Sequence, residues 1–276
     1  MPDTIVDATD VLRGARVLAL TGAGISTDSG IPDYRGPDSP PRSPMTIAEF
    51  RSGPSARQRY WARSHIGWTH TAEASPNGGH LALAAMDAGV PDTPGVQAVI
   101  TQNVDELHSR AGSKTVVDLH GRLSEVVCLD CGQVTSRHVL HERLDALNPD
   151  FDAEDVVIAP DGDAELESVA GFQVAPCLNC GGVLKPRVVF FGENVDRALV
   201  RHCYDLVEGA DVLLVAGSSL AVLSGLRFVR HAHAQGIPVV IVNSGPTRGD
   251  DLAAVRIEGR CTPSLQAMQE ALVHSR

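Results

Sequence analysis

The sequence predicts an α/β fold: a Rossmann-like parallel sheet domain, joined to a smaller module built on cysteine pairs and to a helical insert. Three observations predict it. Short apolar runs recur along the chain and end in glycine or small polar residues, as buried parallel strands do when their loops meet at a ligand crevice. The first run, RVLALT, enters the turn Gly22-Ala23-Gly24, where missing Cβ atoms let a backbone approach a phosphate. Two CxxC pairs, Cys128 with Cys131 and Cys177 with Cys180, lie between the strand runs.

Composition narrows the classes. At 276 residues and 43% apolar content, the chain can bury a large core. A formal net charge of −11 argues against non-specific binding to nucleic acid or to an anionic membrane. No apolar run approaches the roughly 20 residues a bilayer span needs, and the opening MPDTIVDATD is acidic. The expectation is a soluble, cytoplasmic, monomeric protein without a targeting segment.

In chain order, residues 17–20 read as the first buried strand. Its glycine turn departs from the GxGxxG fingerprint, because Thr27 stands where the third glycine belongs, and Asp33, Tyr34 and Arg35 follow soon after. Residues 38–77, rich in Pro and Arg before a Tyr/Trp-bearing stretch, read as a loop followed by a small helical insert. Further buried parallel strands are predicted at 96–101, 115–119, 188–191, 212–216 and 238–242. Four of them feed Gln102-Asn103-Val104-Asp105, His120-Gly121, Gly217-Ser218-Ser219 and Asn243-Ser244-Gly245, loops that should converge on one crevice. Helices are predicted at 198–208, 224–235 and 264–273.

The two-residue gap in each CxxC lets both thiolates of a tight turn reach one ion, and two such turns complete a closed tetrahedral zinc site. Cys203 and Cys261 have no comparable spacing, which disfavours a disulfide framework. Between Leu144 and Leu184, Asp145, Asp150, Asp152, Glu154, Asp155, Asp161, Asp163, Glu165 and Glu167 occur without a Lys or Arg, and read as a solvated insertion hanging from the zinc module. Asp161 and Asp163 lack the EF-hand pattern, so calcium is set aside. The domain assignment is a Rossmann-like domain at 1–37, 81–124 and 186–276, the insert at 38–80 and the zinc-binding module at 125–185.

Taken together, GAGISTDSGIPDYR, TQNVD, LHG, the paired CxxC, VVFFGE, GSSL and VNSGPT, in this order over nearly the whole chain, resemble the sirtuins. YWAR, APDGD and the closing CxxCGGxLKP are most similar to the class II branch. The resemblance implies an NAD-dependent protein lysine deacylase of deacetylase type. NAD is consumed as a co-substrate, nicotinamide and O-acyl-ADP-ribose are released, one zinc is structural, and acylated-lysine proteins are the substrates. In that family the acyl oxygen attacks the ribose carbon bearing nicotinamide, and an alkylimidate forms. His120 takes the general-base position for the ribose hydroxyl, and an imidazole's ordinary pKa of about 6.5 suits a base at neutral pH. Asn103 and Asp105 take the positions that orient water or ribose and hold the carboxamide, although a polar turn capping the next helix would also explain them.

The resemblance further implies cofactor contacts from Gly22, Ala23, Gly24, Thr27, Asp33, Tyr34, Arg35, Gln102, Val104, Gly217, Ser218, Ser219, Asn243, Ser244, Gly245 and Cys261. A substrate strand would pair along Gly192 and Glu193 and along the backbone near Leu220, with Phe190 walling the tunnel for the lysine stem. Tyr60 and Arg63 match a YxxR spacing that binds acidic acyl groups in some members, so desuccinylase-like activity is an alternative. Mono-ADP-ribosyl transfer is another. A catalytically silent NAD-binding module and a dehydrogenase fit less well, given His120 and the missing third glycine.

Overall fold

The computed structural model describes residues 3–36, 39, 44–87, 94–153, 156–166 and 168–273. Residues 38 and 40–43 of the predicted loop and insert at 38–77, and three residues of the acidic stretch, Glu154, Asp155 and Glu167, lie outside the described residues. The chain runs through α1 (Ile5–Leu12), β1 (Arg16–Thr21), α2 (Ile47–Arg51), α3 (Pro54–Glu73), α4 (Gly78–Ala85), β2 (Gly95–Thr101), α5 (Leu107–Arg110), β3 (Val116–Asp118) and β4 (Gly121–Cys128). It continues through β5 (Val134–Ser136), α6 (Arg137–Leu147), β6 (Leu184–Val188), α7 (Arg197–Glu208), β7 (Val212–Ala216), α8 (Leu223–Ala234), β8 (Val239–Asn243), β9 (Val255–Glu258) and α9 (Cys261–Val273). Two compact units result: Met1–Pro41, Ser75–Leu119 and Val195–Arg276 form one, and Arg42–Ala74 with His120–Asn194 form the other. Residues 120–124 and 186–194, which the sequence reading gave to the sheet domain, belong to the second unit.

The first unit is a Rossmann-like layer structure around a six-stranded parallel sheet of order β3-β2-β1-β7-β8-β9. Strands β7 and β8 are buried along their whole length, as a sheet covered on both faces requires. Alternation then sorts their side chains. Val17, Ala19, Leu214, Val240 and Val242 face the helices α1, α4 and α9, through Leu12, Leu83, Leu265 and Met268. Leu18, Leu20, Leu213, Val215 and Ile241 face α7 and α8, through Cys203, Val207, Leu226 and Phe228. Helix starts are well specified: Thr4 and Asp7 form a capping box on α1, and Asp196 Oδ1 accepts from the N–H groups of Ala198 (2.9 Å) and Leu199 (3.0 Å) on α7. Among the described residues, no helix is long and apolar enough to cross a membrane.

One predicted strand is corrected. Residues 188–191 do not join the parallel sheet. The strand there is Leu184–Val188, antiparallel to β4 in the three-stranded sheet β5-β4-β6 of the second unit. The apolar VVFF run extends past the strand because Phe190 packs edge-on against Phe50 (5.4 Å between centroids) and against Tyr60 (5.1 Å). The sixth parallel strand is instead Val255–Glu258, a short edge strand whose alternating burial gives only two apolar positions.

The acidic insertion is also more than a solvated appendage. Its residues Ala159, Asp163, Ala164, Phe172 and Ala175 are buried. It docks on α3: the Ala164 N–H donates to the Arg63 carbonyl (3.0 Å), Arg63 Nε donates to the Ala164 carbonyl (2.9 Å), and Gln58 Nε2 donates to the Phe172 carbonyl (2.8 Å). Gly67 of α3 is glycine because a Cβ there would lie 1.9 Å from the Gly162 carbonyl oxygen. The exposed Asp and Glu residues set the composition, while a minority of apolar residues sets the packing.

Candidate functional site

In the first unit the sequence-predicted cofactor residues follow the carboxyl ends of β1, β2, β7 and β8. The sheet order grows outward in both directions from the adjacent pair β1 and β7, so the loops after those two strands diverge at a topological switch point, where open α/β sheets bind ligands.

Both loops are built on glycine for the same reason. The Gly22 N–H donates to the Ala216 carbonyl (3.1 Å) and the Gly24 N–H to the Gly217 carbonyl (2.8 Å). A Cβ on Gly24 would lie 2.9 Å from Gly217 Cα, and one on Gly217, which sits at φ +65°, would lie 2.3 Å from the Ile25 nitrogen. The glycines are therefore fixed first by two backbones packed against each other. Access for a phosphate is a second consequence.

Behind this turn lies a connected polar cluster. Asn103 Nδ2 donates to the Gly22 carbonyl (3.1 Å) and to Ser26 Oγ (3.0 Å), and Ser26 Oγ–H donates to Asp105 Oδ2 (2.7 Å). Asp105 Oδ1 accepts from the Leu107 N–H (3.0 Å), so it also helps start α5, and the intervening Glu106 is held at φ +61°. Burial pushes the Asp105 carboxyl above its ordinary range, against the opposing pull of these hydrogen bonds. Gln102 Nε2 donates to Ser218 Oγ (2.8 Å), joining the loops after β2 and β7.

The remaining residues take these places. Thr27 Oγ1 donates to the Gly24 carbonyl (3.2 Å). Asp33 Oδ1 accepts from the N–H of Arg35 (3.2 Å) and Gly36 (2.5 Å) and from the Ser39 hydroxyl, which ties the segment holding Tyr34 into a local turn. Asn243 Nδ2 donates to the Gly245 carbonyl (2.9 Å), and the Gly245 N–H donates to Glu258 Oε1 (2.6 Å). Cys261 opens α9 and is buried near the Val242 carbonyl, where burial pushes its thiol up to about 12.

Ser26, which the sequence reading did not place in the site, holds both Asn103 and Asp105. Its signal was a small hydroxyl two residues beyond the second glycine. Glu258 also escaped notice, because its partner is a backbone N–H. Below the site His108 Nε2 meets Thr21 Oγ1 at 2.9 Å and packs against His80, 4.8 Å between ring centroids.

His120 is the first residue of the second unit and directly follows Leu119, whose N–H donates to the Thr101 carbonyl (2.9 Å); the His120 carbonyl accepts from the Val189 N–H (2.8 Å). In the same unit Phe190 is buried, and Gly192 takes φ +86°. Glu193 is occupied internally: its Oε2 accepts from the Phe190 N–H (2.8 Å) and pairs with Lys185 Nζ (2.9 Å). Lys185 is 4% exposed and lies 4.5 Å over the Phe190 ring, so a buried ion pair sets the loop that carries Phe190 to Glu193. Tyr60 and Arg63 share α3 as expected; Tyr60 is buried against Phe50, Trp61 and Phe190, and Arg63 Nε is used on Ala164.

The four cysteines come together. Cys128 Sγ lies 3.5 Å from Cys180 Sγ, and Cys131 Sγ 3.8 Å from Cys177 Sγ, with all four sulfurs within 4.8 Å of one another. A disulfide needs about 2.05 Å, whereas a tetrahedron with zinc–sulfur bonds of about 2.3 Å has edges of about 3.8 Å, so the donor set fits one zinc ion. Each knuckle closes with a glycine at φ +73°, Gly132 and Gly181.

A model of the Sir2 family matches residues 22–224. The chain is 54% identical over 267 residues to NAD-dependent protein deacetylase 1 of Mycobacterium avium, covering 95% of this chain and 93% of the relative. It is 47% identical over 253 residues to the mitochondrial NAD-dependent protein lipoamidase sirtuin-4 of Bos taurus, covering 89% and 79%. Among solved structures, a Sir2 complex with a p53 peptide and NAD+ superimposes with a TM-score of 0.77 at 31% identity, over 98% of this chain and 99% of the other. The glycine turn, the strand-end polar cluster and the four-cysteine module thus occur within a match that spans most of the sequence, and the chain belongs to the Sir2 family.

Proposed function

We propose that this protein is an NAD-dependent protein lysine deacylase of deacetylase type, releasing nicotinamide and O-acyl-ADP-ribose. The observation that carries the reading is the Asn103–Ser26–Asp105 cluster held behind the Gly22–Gly24 turn, in a chain similar to named deacetylases. NAD, bound as co-substrate, supplies the electrophilic ribose carbon. The chain's own residues do the rest. The loops after β1, β7 and β8 would hold the dinucleotide, Ser26 would fix the Asn103 amide and the Asp105 carboxyl against the nicotinamide end, and His120 would accept the ribose hydroxyl proton. The four cysteines would hold a structural zinc, whose filled shell leaves no position for catalysis.

Incubation with NAD and an acetyl-lysine peptide should release nicotinamide and O-acetyl-ADP-ribose in equal amounts. His120→Ala should lower the rate by about 100-fold or more. Full deacylation by that variant would overturn the mechanism, and NADH formation would overturn the class.

The acyl group is a separate matter. Likeness to sirtuin-4 lipoamidases favours acceptance of longer chains beside acetyl. Acidic acyl groups are disfavoured, because Tyr60 is buried and Arg63 Nε is bound to Ala164. A panel of acetyl-, lipoyl- and succinyl-lysine peptides checks this: succinyl removal that collapses in Arg63→Ala would restore the acidic reading.

A further inference from the structure

We propose that His65, His141 and Asp145 form a second metal site, separate from the four cysteines, which takes a divalent ion of the zinc class and ties α3 to α6. His65 lies within α3 and is 4% exposed, whereas His141 and Asp145 stand one turn apart on α6, a spacing that puts both on one helix face. His65 Nε2 is 3.3 Å from Asp145 Oδ1, and His141 Nε2 is 3.7 Å from Asp145 Oδ2. The three ligand atoms all lie within 4.8 Å of one another. An ion with tetrahedral bonds of about 2.0–2.2 Å holds its ligand atoms about 3.3–3.6 Å apart, so the side chains need only small adjustments to receive it.

Chemistry agrees with geometry. Two imidazoles and one carboxylate suit zinc, cobalt, nickel or copper ions, whereas magnesium and calcium prefer all-oxygen shells. The other ring nitrogens, Nδ1 of His65 and of His141, are buried without a hydrogen-bond partner, so packing and the shared carboxylate, not an outer acceptor, orient the two rings. Asp145 has 58% of its side chain exposed, which leaves a path for the ion and a position for water. The site lies within the second unit and does not depend on the proposed activity.

Protein already carrying one zinc in the cysteine site should bind one equivalent of Co2+ at micromolar concentration, a second metal ion per chain. The added cobalt should give weak visible bands without the sulfur-to-metal charge transfer of a thiolate site, and should raise the thermal midpoint. Asp145→Ala and His141→Ala should each weaken binding of that second ion at least about tenfold while the metal count at the cysteines stays at one. Asp145 is an exposed helix residue, so its alanine variant should fold, which far-ultraviolet circular dichroism checks. Saturation at one metal ion per chain, or a second ion whose binding neither substitution affects, would overturn the proposal and leave a hydrogen-bonded His-Asp-His contact.

Discussion

Asp105 shows how one side chain can serve structure and chemistry in opposite directions. Its two oxygens accept from Leu107 N–H and Ser26 Oγ–H, yet burial disfavours its charge. Asp105→Asn keeps an oxygen for the Leu107 N–H and removes the desolvated charge. Its thermal midpoint should therefore stay level or rise, while nicotinamide release falls by about 100-fold or more. A matching loss of stability would mean that the residue acts only as a cap. Gly217 gives the opposite case, a residue whose importance is steric. At φ +65°, with its missing Cβ 2.3 Å from a backbone nitrogen, Gly217→Ala combines a left-handed penalty with overpacking, roughly 2–4 kcal/mol in all. Urea denaturation should register that loss before any cofactor is added. The sequence reading assigned Gly22 and Gly24 to a phosphate, because a one-dimensional pattern shows the small residue and not the neighbour that demands it.

At the scale of elements, strands buried on both faces and the β3 edge were legible, and the β9 edge was not. Residues 212–216 and 238–242 are continuous apolar runs, and both lie in the interior of the sheet. Val255–Glu258 escaped because an edge strand needs only Val255 and Ile257 inside, and the run at 188–191 misled because aromatic packing around Phe190 produces the same apolar signal as a strand. Lys185 was legible only as an oddity, one of two lysines in a chain that otherwise uses arginine; its compact ammonium fits under the Phe190 ring and beside Glu193. The cysteine spacing was the most transferable signal, since it fixed four ligands without any knowledge of the sheet between them. Binding free energy on the order of 10 kcal/mol at such a site is comparable with the whole stability of a domain. Removing zinc with a strong chelator, or Cys180→Ser, should thus unfold β4, β5 and β6 together, seen as lost hydrogen-exchange protection from Val126 to Val188. Unchanged protection after the metal has left would show that the insertion's packing on α3 suffices without it.

Across the whole molecule, acid sensitivity should be set by buried histidines more than by ion pairs. Burial pushes His80 down to about 4, and burial with the neighbouring His80 pushes His108 down to about 3, both from an ordinary 6.5. Neither ring gains a charged partner in exchange: His108 Nε2 meets the Thr21 hydroxyl, and His80 Nδ1 accepts from the Asn77 N–H. The unfolded chain therefore takes up these protons below pH 6.5, while the folded chain takes them up only below about 4 and 3. Within that window the unfolded state binds more protons, so stability is present above pH 6.5 and falls as the pH drops, by up to about 1.4 kcal/mol per pH unit for each histidine. The Arg16–Asp211 pair acts elsewhere. Its hydrogen bonds hold the Asp211 carboxyl down to about 2, so its contribution is lost only as the pH falls from about 4 towards 2. The urea midpoint should decline from pH 7 to pH 5, a range in which Asp211 does not titrate. His80→Gln with His108→Gln, which replaces both imidazoles by groups that do not titrate, should flatten that decline even if it lowers the midpoint at pH 7. An equally steep decline in the double variant would assign the proton uptake to other groups.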